Sequence, residues 1–382
     1  MKFLHTADWH VGKTLKGRNR LDEQRAVLAQ ISRIATDNQV DAVLVAGDLY
    51  DTSAPSADAQ RLVNATLLGL ARDGIEVVVI AGNHDHGRTF EALRELMSAA
   101  GITYAGQVRA ASAQGVHNFT ASSTGEPVVV ALVPFLTRRA IIGAEEIVTG
   151  DVSENVGKYE ASVRTIMSEL AGAFSEDSVN IVMAHLTMTG GIMGGGEREA
   201  QSVLEYHVSP DVFPAGASYV ALGHLHKRQR IRAGVPVHYA GSPLAVDFGE
   251  QAYDPVVCLV DVAPGRRAQV TDVPVTAGRK LRTITGTADQ VRAAAADCGD
   301  DYLRVVLREA ARAGTKDLIM DALPNTLEIR IHPDFQEVPQ QRRLSVTSRS
   351  AHDLFADYCR DAHIDDPRVV ALFDQLFEES LR

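Results

Sequence analysis

The sequence predicts an α/β protein whose strands are mostly parallel and carry a ligand site at their carboxyl ends. Two observations predict this. Apolar runs at 2–7, 42–47 and 75–82 each stop at glycine or a polar residue, as buried strands do. Helical periodicity fills the gaps at 22–37 and 56–72, and this βαβ rhythm implies parallel pairing with ligands beyond the strand ends.

The later elements follow from the same reading. From 115 to 134 and from 178 to 276 the chain is richer in strands, with the runs VVVALVPF, NIVMAHL, SYVALGH, VPVHYAG and VVCLVDV. The segment TGGIMGGGERE at 189–199, next to His185, has the glycine content of a phosphate cradle but the spacing of no P-loop, so a flexible lid or linker is expected. Composition shifts near 277. Strand 280–286, helix 288–297, strand 302–308, helix 315–322 and strand 326–332 then form a small α+β unit. A polar linker, HPDFQEVPQQRRLSVTSRS, leads to two amphipathic helices at 351–381. The expected divisions are 1–277, 278–333 and 334–382.

Composition narrows the class. The 382 residues are 45% apolar and 23% charged, ordinary for a soluble globular protein. The start MKFLHTADWH has no apolar core behind a basic leader, and no run approaches the roughly 18 apolar residues that span a bilayer. Cys258, Cys298 and Cys359 are scattered and odd in number, which suits reduced thiols in a cytoplasm. A net charge of −11 argues mildly against a nucleic-acid partner. Two basic clusters point the other way: Lys13, Lys16, Arg18 and Arg20, and Lys227, Arg228, Arg230 and Arg232. Each follows a candidate ligand segment, as the rim of a site for a polyanion would; solvated basic loops are the plain alternative.

Five segments carry the chemistry: Asp8-Trp9-His10, Gly47-Asp48-Leu49-Tyr50-Asp51, Gly82-Asn83-His84-Asp85, Ala184-His185 and Gly223-His224-Leu225-His226. In an extended backbone Asp8 and His10 point the same way, as do His224 and His226, so each pair can hold one ion from two directions. Gly47, Gly82 and Gly223 permit sharp turns against a ligand. Asp, His and Asn donors without cysteine suit Mn²⁺ or Fe²⁺, with Zn²⁺ also possible, and do not describe a structural zinc. Each motif alone is weak, since a lone buried histidine is usually a core residue and GNHD could be a turn. All five in this order, each closing an apolar run, are not. His5, His86, His117, His207, His238, His332, His352 and His363 lack this context and receive no catalytic role.

The order of these motifs resembles that of the calcineurin-like metallophosphoesterase superfamily. More narrowly the chain resembles the SbcD family, nuclease subunits of bacterial SbcC–SbcD complexes. The likeness rests on HTADWHVGKTL at 5–15, AGDLYDTSAPS at 46–56, AGNHDH at 81–86, ALGHLHKRQ at 221–229 and AGSP at 240–243. The stretch 135–180 carries little of it. The resemblance implies a metallophosphoesterase β-sandwich core flanked by helices, an α+β cap at 278–333 and a helical partner-binding tail. It implies two divalent ions, most simply Mn²⁺, with Asp8, His10 and His226 on one, Asn83, His185 and His224 on the other, and Asp48 bridging. His84 would act on the leaving group. Asp51 matches a position whose carboxylate pairs with that histidine in many superfamily phosphatases; an N-terminal cap near Ser53 is the alternative. Asp22 and Asp85 are left as structural acids.

The implied activity is a DNA exonuclease and endonuclease at ends and hairpins, in repair, recombination and replication, with an SbcC-type ATPase. A superfamily enzyme for a small nucleotide substrate and an inactive scaffold are the competing readings. The small-substrate reading expects a chain ending soon after AGSP, yet roughly a third lies beyond it. A homodimer through 56–72 and 90–100 is implied, although Leu62, Val63, Leu67, Leu68 and Leu70 also suit core packing. In the tail, Asp366 and Pro367 open a helix with Val369, Leu372, Phe373, Leu376 and Phe377 in one stripe, and Leu354, Phe355 and Tyr358 repeat the theme before it. Docking on the ATPase coiled coil and packing back on the cap are the two readings of that stripe.

Overall fold

Residues 1–136, 157–197, 207–310, 312, 314–335, 351–362, 364 and 366–380 are described in a computed structural model of the chain. In chain order its first strands are β1 Lys2–Thr6, β2 Thr14–Leu15, β3 Arg18–Asn19, β4 Ala42–Ala46, β5 Glu76–Ile80, β6 Ile102–Ala105, β7 Val116–Thr120 and β8 Pro127–Val133. They continue with β9 Val179–His185, β10 Thr187–Met188, β11 His207–Val208, β12 Tyr219–Gly223, β13 Gln229–Ile231, β14 Val237–Tyr239, β15 Val256–Asp261 and β16 Gln269–Pro274. Helices α1 Leu21–Asp37, α2 Ala57–Arg72 and α3 Gly87–Ala99 fall between the early strands.

Two six-stranded sheets result, in the orders β16-β15-β1-β4-β5-β6 and β13-β14-β12-β9-β8-β7. Strands β1, β4, β5 and β6 pair in parallel, as do β8, β9, β12 and β14, while antiparallel strands close every edge but that of β6. The sheets face each other across Phe3, Leu44, Val78, Ile80, Val130, Ile181, Met183 and Tyr219. The outer face of the first sheet is covered by α1 and α2, through Val27, Leu28, Ile31, Leu62, Val63, Leu67 and Leu70. Helix Gly157–Ala171 covers the second through Tyr159, Val163, Met167 and Leu170. This is the helix-flanked sandwich expected, and it explains the near-continuous apolar character of runs such as AVLVA, buried on both faces. It also settles four of the α2 leucines and valines as core. Leu68 is half-buried, and on α3 Leu96 is 67% exposed.

Strands β17 Leu281–Gly286, β18 Tyr302–Leu307 and β19 Thr326–Ile331 make a third, wholly parallel sheet, with helices Ala288–Ala293 and Thr315–Ala322 in its crossovers. Thr287 and Gln290 form a capping box at the first helix. The sheet has its own core around Val291, Leu303, Val305 and Ile319. Met1–His332 is one compact unit, so this sheet shares a body with the sandwich. Leu15, Phe248, Leu281 and Tyr302 pack at the joint.

Pro333–Arg382 is a second compact unit. Its helices Ala351–Asp361 and Pro367–Ser380 pack with Phe355 stacked on Phe373 at 4.0 Å and His352 Nδ1 2.7 Å from Asp374 Oδ2. Asp366 accepts from the Arg368 N–H, as a helix cap should. Tyr358, Leu372 and Leu376 stay exposed. Most of the expected linker, 336–350, lies outside the described residues, as do the side chains of Leu354 and Phe377. Among the described residues no helix is long and apolar enough to cross a membrane.

Candidate metal centre

All five motif segments meet beyond the carboxyl ends of β1, β4, β5, β9 and β12. Asp8, His10, Asp48, His84, His185, His224 and His226 are buried there. His10 Nε2 lies 3.0 Å from His226 Nε2 and 3.7 Å from Asp48 Oδ2. His185 Nε2 lies 3.4 Å from the same Asp48 oxygen and 2.8 Å from Asn83 Oδ1, which is also 2.8 Å from His224 Nδ1. One oxygen of Asp48 thus stands between two sets of donors. The sets His10–Asp48–His84 and Asp48–His185–His224 each bring three donor atoms within 4.8 Å of one another. Asp8 Oδ1 accepts from the His224 N–H, whereas Asp8 Oδ2 is buried without a hydrogen-bond partner. A cluster of this donor chemistry with a bare buried carboxylate oxygen fits divalent ions.

The backbone brings the donors together differently from the sequence expectation. Asp8 and His10 have φ of 54° and 45°, Asp48 has 52° and His224 has 103°. The Asp-x-His pair therefore sits on a left-handed turn past β1, not on the alternating faces of an extended strand. The glycines meet their expected purpose: a Cβ on Gly82 would lie 2.1 Å from Asp48 Oδ1, and one on Gly47 would lie 2.3 Å from His185 Nδ1. Asp85, left out of the site, clamps the two loops that carry Asp48 and Asn83. Its carboxylate accepts from the N–H groups of Gly82, Leu49 and Tyr50 at 2.9, 3.3 and 3.1 Å.

Charge is shared unevenly. Burial lowers His10, and burial with the charge on His185 lowers His224 to about 3. Burial opposes charge on His185 too, but Asp48 outweighs it and lifts the pKa to about 9. Burial raises Asp8 to about 7. Burial acts against ionised Asp48 as well, yet the neighbouring histidine charges, His185 first, hold it well below the carboxylate range.

Asp51 does meet His84, through its backbone. His84 Nδ1 donates to the Asp51 carbonyl oxygen at 2.7 Å, while the carboxylate lies 3.9 Å away and is paired with Lys13 Nζ at 2.9 Å. The carboxylate is thus within ion-pair reach of the imidazole at 3.9 Å, while the short contact is made by the carbonyl of the same residue.

The basic clusters need a larger correction. Arg20 is buried, bonded to the Ala245 carbonyl and to Glu23, and lies 5.6 Å from the Tyr302 ring, with Arg279 5.1 Å from that ring. Arg228 is committed to Asp272, His238 and the carbonyls of Gln229 and Tyr239. These two arginines fasten the protein to itself. Lys16 pairs with Glu328 at 3.3 Å, and Lys227 lies over Tyr253 at 4.6 Å, with both lysines still partly exposed. Arg18 is exposed.

Two acids escaped the sequence reading. Glu250 Oε1 is 2.7 Å from His226 Nδ1, and Glu197 Oε1 accepts from the His226 N–H at 3.0 Å. Glu197 also accepts from Gly194 and Gly195, so the described part of the glycine-rich segment is tied to the site. Its only signal was that position beside His185.

The calcineurin-like phosphoesterase family profile matches residues 1–228, which contain all seven candidate ligands. The SbcD subunit of the SbcCD nuclease of Bacillus subtilis (strain 168) is 32% identical over 392 residues, covering 98% of this chain and 97% of that protein. The chain belongs to the SbcD family. The SbcD proteins of Rhodobacter capsulatus (36% identical; 72% of this chain, 69% of that protein) and Escherichia coli (strain K12; 30%; 77% and 73%) agree. As an SbcD-family member it is a metal-dependent phosphodiesterase of the nuclease type, and the buried cluster lies in the family's catalytic domain.

Proposed function

We propose that the site holds two divalent ions, Mn²⁺ foremost with Fe²⁺ or Zn²⁺ as substitutes, and cuts phosphodiester bonds in DNA at ends and hairpins. Asp8, His10 and His226 would hold one ion, Asn83, His185 and His224 the other, with Asp48 shared. The observation that carries this is the Asp48 oxygen standing between His10 and His185 at 3.7 and 3.4 Å. Ions bound there would neutralise charge on the phosphate and activate the attacking water. The chain's own contribution is orientation and proton transfer. A carbonyl oxygen only accepts, so the 2.9 Å contact to Ala46 puts the proton of His185 on Nδ1 and turns Nε2 to the ligand side. The Asp51 carbonyl does the same to His84, leaving Nε2 to exchange a proton with the departing oxygen.

The relatives named as nuclease subunits support DNA as substrate, and Arg18, Lys13, Lys16 and Lys227 supply cations on the rim. We assign the exposed Tyr358, Leu372 and Leu376 of the tail to docking on an SbcC-type ATPase, and Leu96 of α3 to a homodimer. Free thiols at all three cysteines suit a cytoplasmic protein. The roles are tested by pairing two variants. Asp48→Ala should lose bound metal and activity together. His84→Ala should keep both ions and lose ~10²–10⁴-fold in turnover. Full activity, or lost metal, in His84→Ala contradicts the assignment.

A further inference from the structure

A ligand histidine must present one nitrogen to its ion, and something has to hold the ring and its proton in place. For His226 that partner is a buried acid outside the motif segments. We infer that Glu250 is a positioning residue for the metal centre, fixing the tautomer and orientation of His226. The inference rests on the two-ion reading above.

Both side chains are buried, with residue exposures of 3% for Glu250 and 5% for His226. Nδ1–H of His226 donates to Glu250 Oε1 at 2.7 Å, and Glu250 Oε2 accepts from the Val246 N–H at 2.8 Å. Each oxygen of the acid is committed, so the ring cannot turn without leaving a buried polar group unpaired. Glu197 holds the His226 peptide from the other side. Gly196 closes over the pair: a Cβ there would lie 2.2 Å from Glu250 Oε1 and 2.8 Å from His226 Nδ1. The consequence is that Nε2 faces His10 Nε2 at 3.0 Å, a separation that two nitrogens on one ion can share.

Glu250 is in turn held from the cap side. It ends the turn Phe248–Glu250, in which Asp247 Oδ1 accepts from the Gly249 N–H at 2.8 Å. Phe248 is fully buried against Leu15, Leu281 and Tyr302, and the Arg304 guanidinium lies 5.1 Å from its ring. The 281–331 sheet therefore steadies a metal ligand through one three-residue turn.

The test is a Mn²⁺ titration of the full-length chain, followed by electron paramagnetic resonance, alongside thermal melts of the metal-free protein. The wild type should bind two ions, and His226→Ala should identify which one depends on that ligand. Glu250→Gln keeps shape but only one acceptor, and should weaken that same ion ~10–100-fold. The second ion should stay within about twofold, a split that a general loss of fold would not give. Glu250→Ala should weaken the same ion further. Both affinities unchanged in Glu250→Gln, or both weakened together with a lower melt, overturns the inference. A wild type binding fewer than two ions overturns instead the two-ion reading beneath it.

Discussion

Asp85→Ala is the sharpest probe of how the metal loops are held. The carboxylate accepts from three buried backbone N–H groups, at Gly82, Leu49 and Tyr50. Leaving a buried donor unsatisfied costs ~1–3 kcal/mol. Three donors would give ~3–9 kcal/mol, but two effects reduce this. Burial and the nearby Asp48 charge lift the Asp85 pKa to about 7, so removing the acid also removes an unfavourable desolvation. Water entering the small void would also satisfy some of the donors. A net loss of about 3 kcal/mol is expected, a large share of a typical folding stability. Asp85→Asn keeps one acceptor but turns an amide N–H₂ toward the donors, so it should not restore the wild type. Urea unfolding of the metal-free protein measures the loss, and Mn²⁺ titration should show both ions weakened, because Asp85 ties the Asp48 loop to the Asn83 loop. An Asp85→Ala protein within about 0.5 kcal/mol of wild type would refute the clamp.

Three further outcomes are expected. Between pH 7 and 9 the metal-free protein should lose stability: His185 and His226 keep protons up to about 9, against ~6.5 unfolded, so the folded state binds more protons and its stability falls as pH rises. Melts in chelator at pH 7, 8 and 9 check this, and a rising melting temperature contradicts it. Arg20→Ala should cost about 2 kcal/mol and leave the salt dependence of DNA binding unchanged, because its guanidinium serves Glu23 and Ala245. Arg18→Ala should do the reverse, flattening the slope by about one unit at unchanged stability. Deleting 345–382 should abolish co-purification with the ATPase while the remainder melts cooperatively and still cleaves small substrates; an intact complex or an unfolded remnant excludes the docking role.

The fold was legible where a strand is buried on both faces, since a run such as AVLVA has no other economical reading. The clustered donors were legible because each lies at the end of such a run and belongs to one narrow set of side-chain types. What stayed hidden depends on distant chain meeting near. Glu250 is 24 residues from His226 and carries no motif of its own. The fates of Arg20 and Arg228 depend on Tyr302 and Asp272, which no local pattern announces. The resemblance tied Asp51 to His84 through its carboxylate, and no sequence pattern shows that the 2.7 Å contact comes from the carbonyl. The left-handed turn at Asp8 and His10 was missed because alternation was assumed to continue past the strand end.

That turn has a bearing on which residues these positions tolerate. Left-handed backbone is uncommon outside glycine, and aspartate, asparagine and histidine are the side chains most often found there. Asp8, His10 and Asp48 each take that conformation, at φ of 54°, 45° and 52°. The donor set a hard-to-borderline cation wants and the residues this backbone accepts are thus the same short list. Two independent filters act on each position, and glutamate fails the second while passing the first. At Asp8 and Asp48 the like-charged exchange to glutamate is therefore the disruptive one. Asparagine is the replacement that removes the charge and leaves the chain path intact.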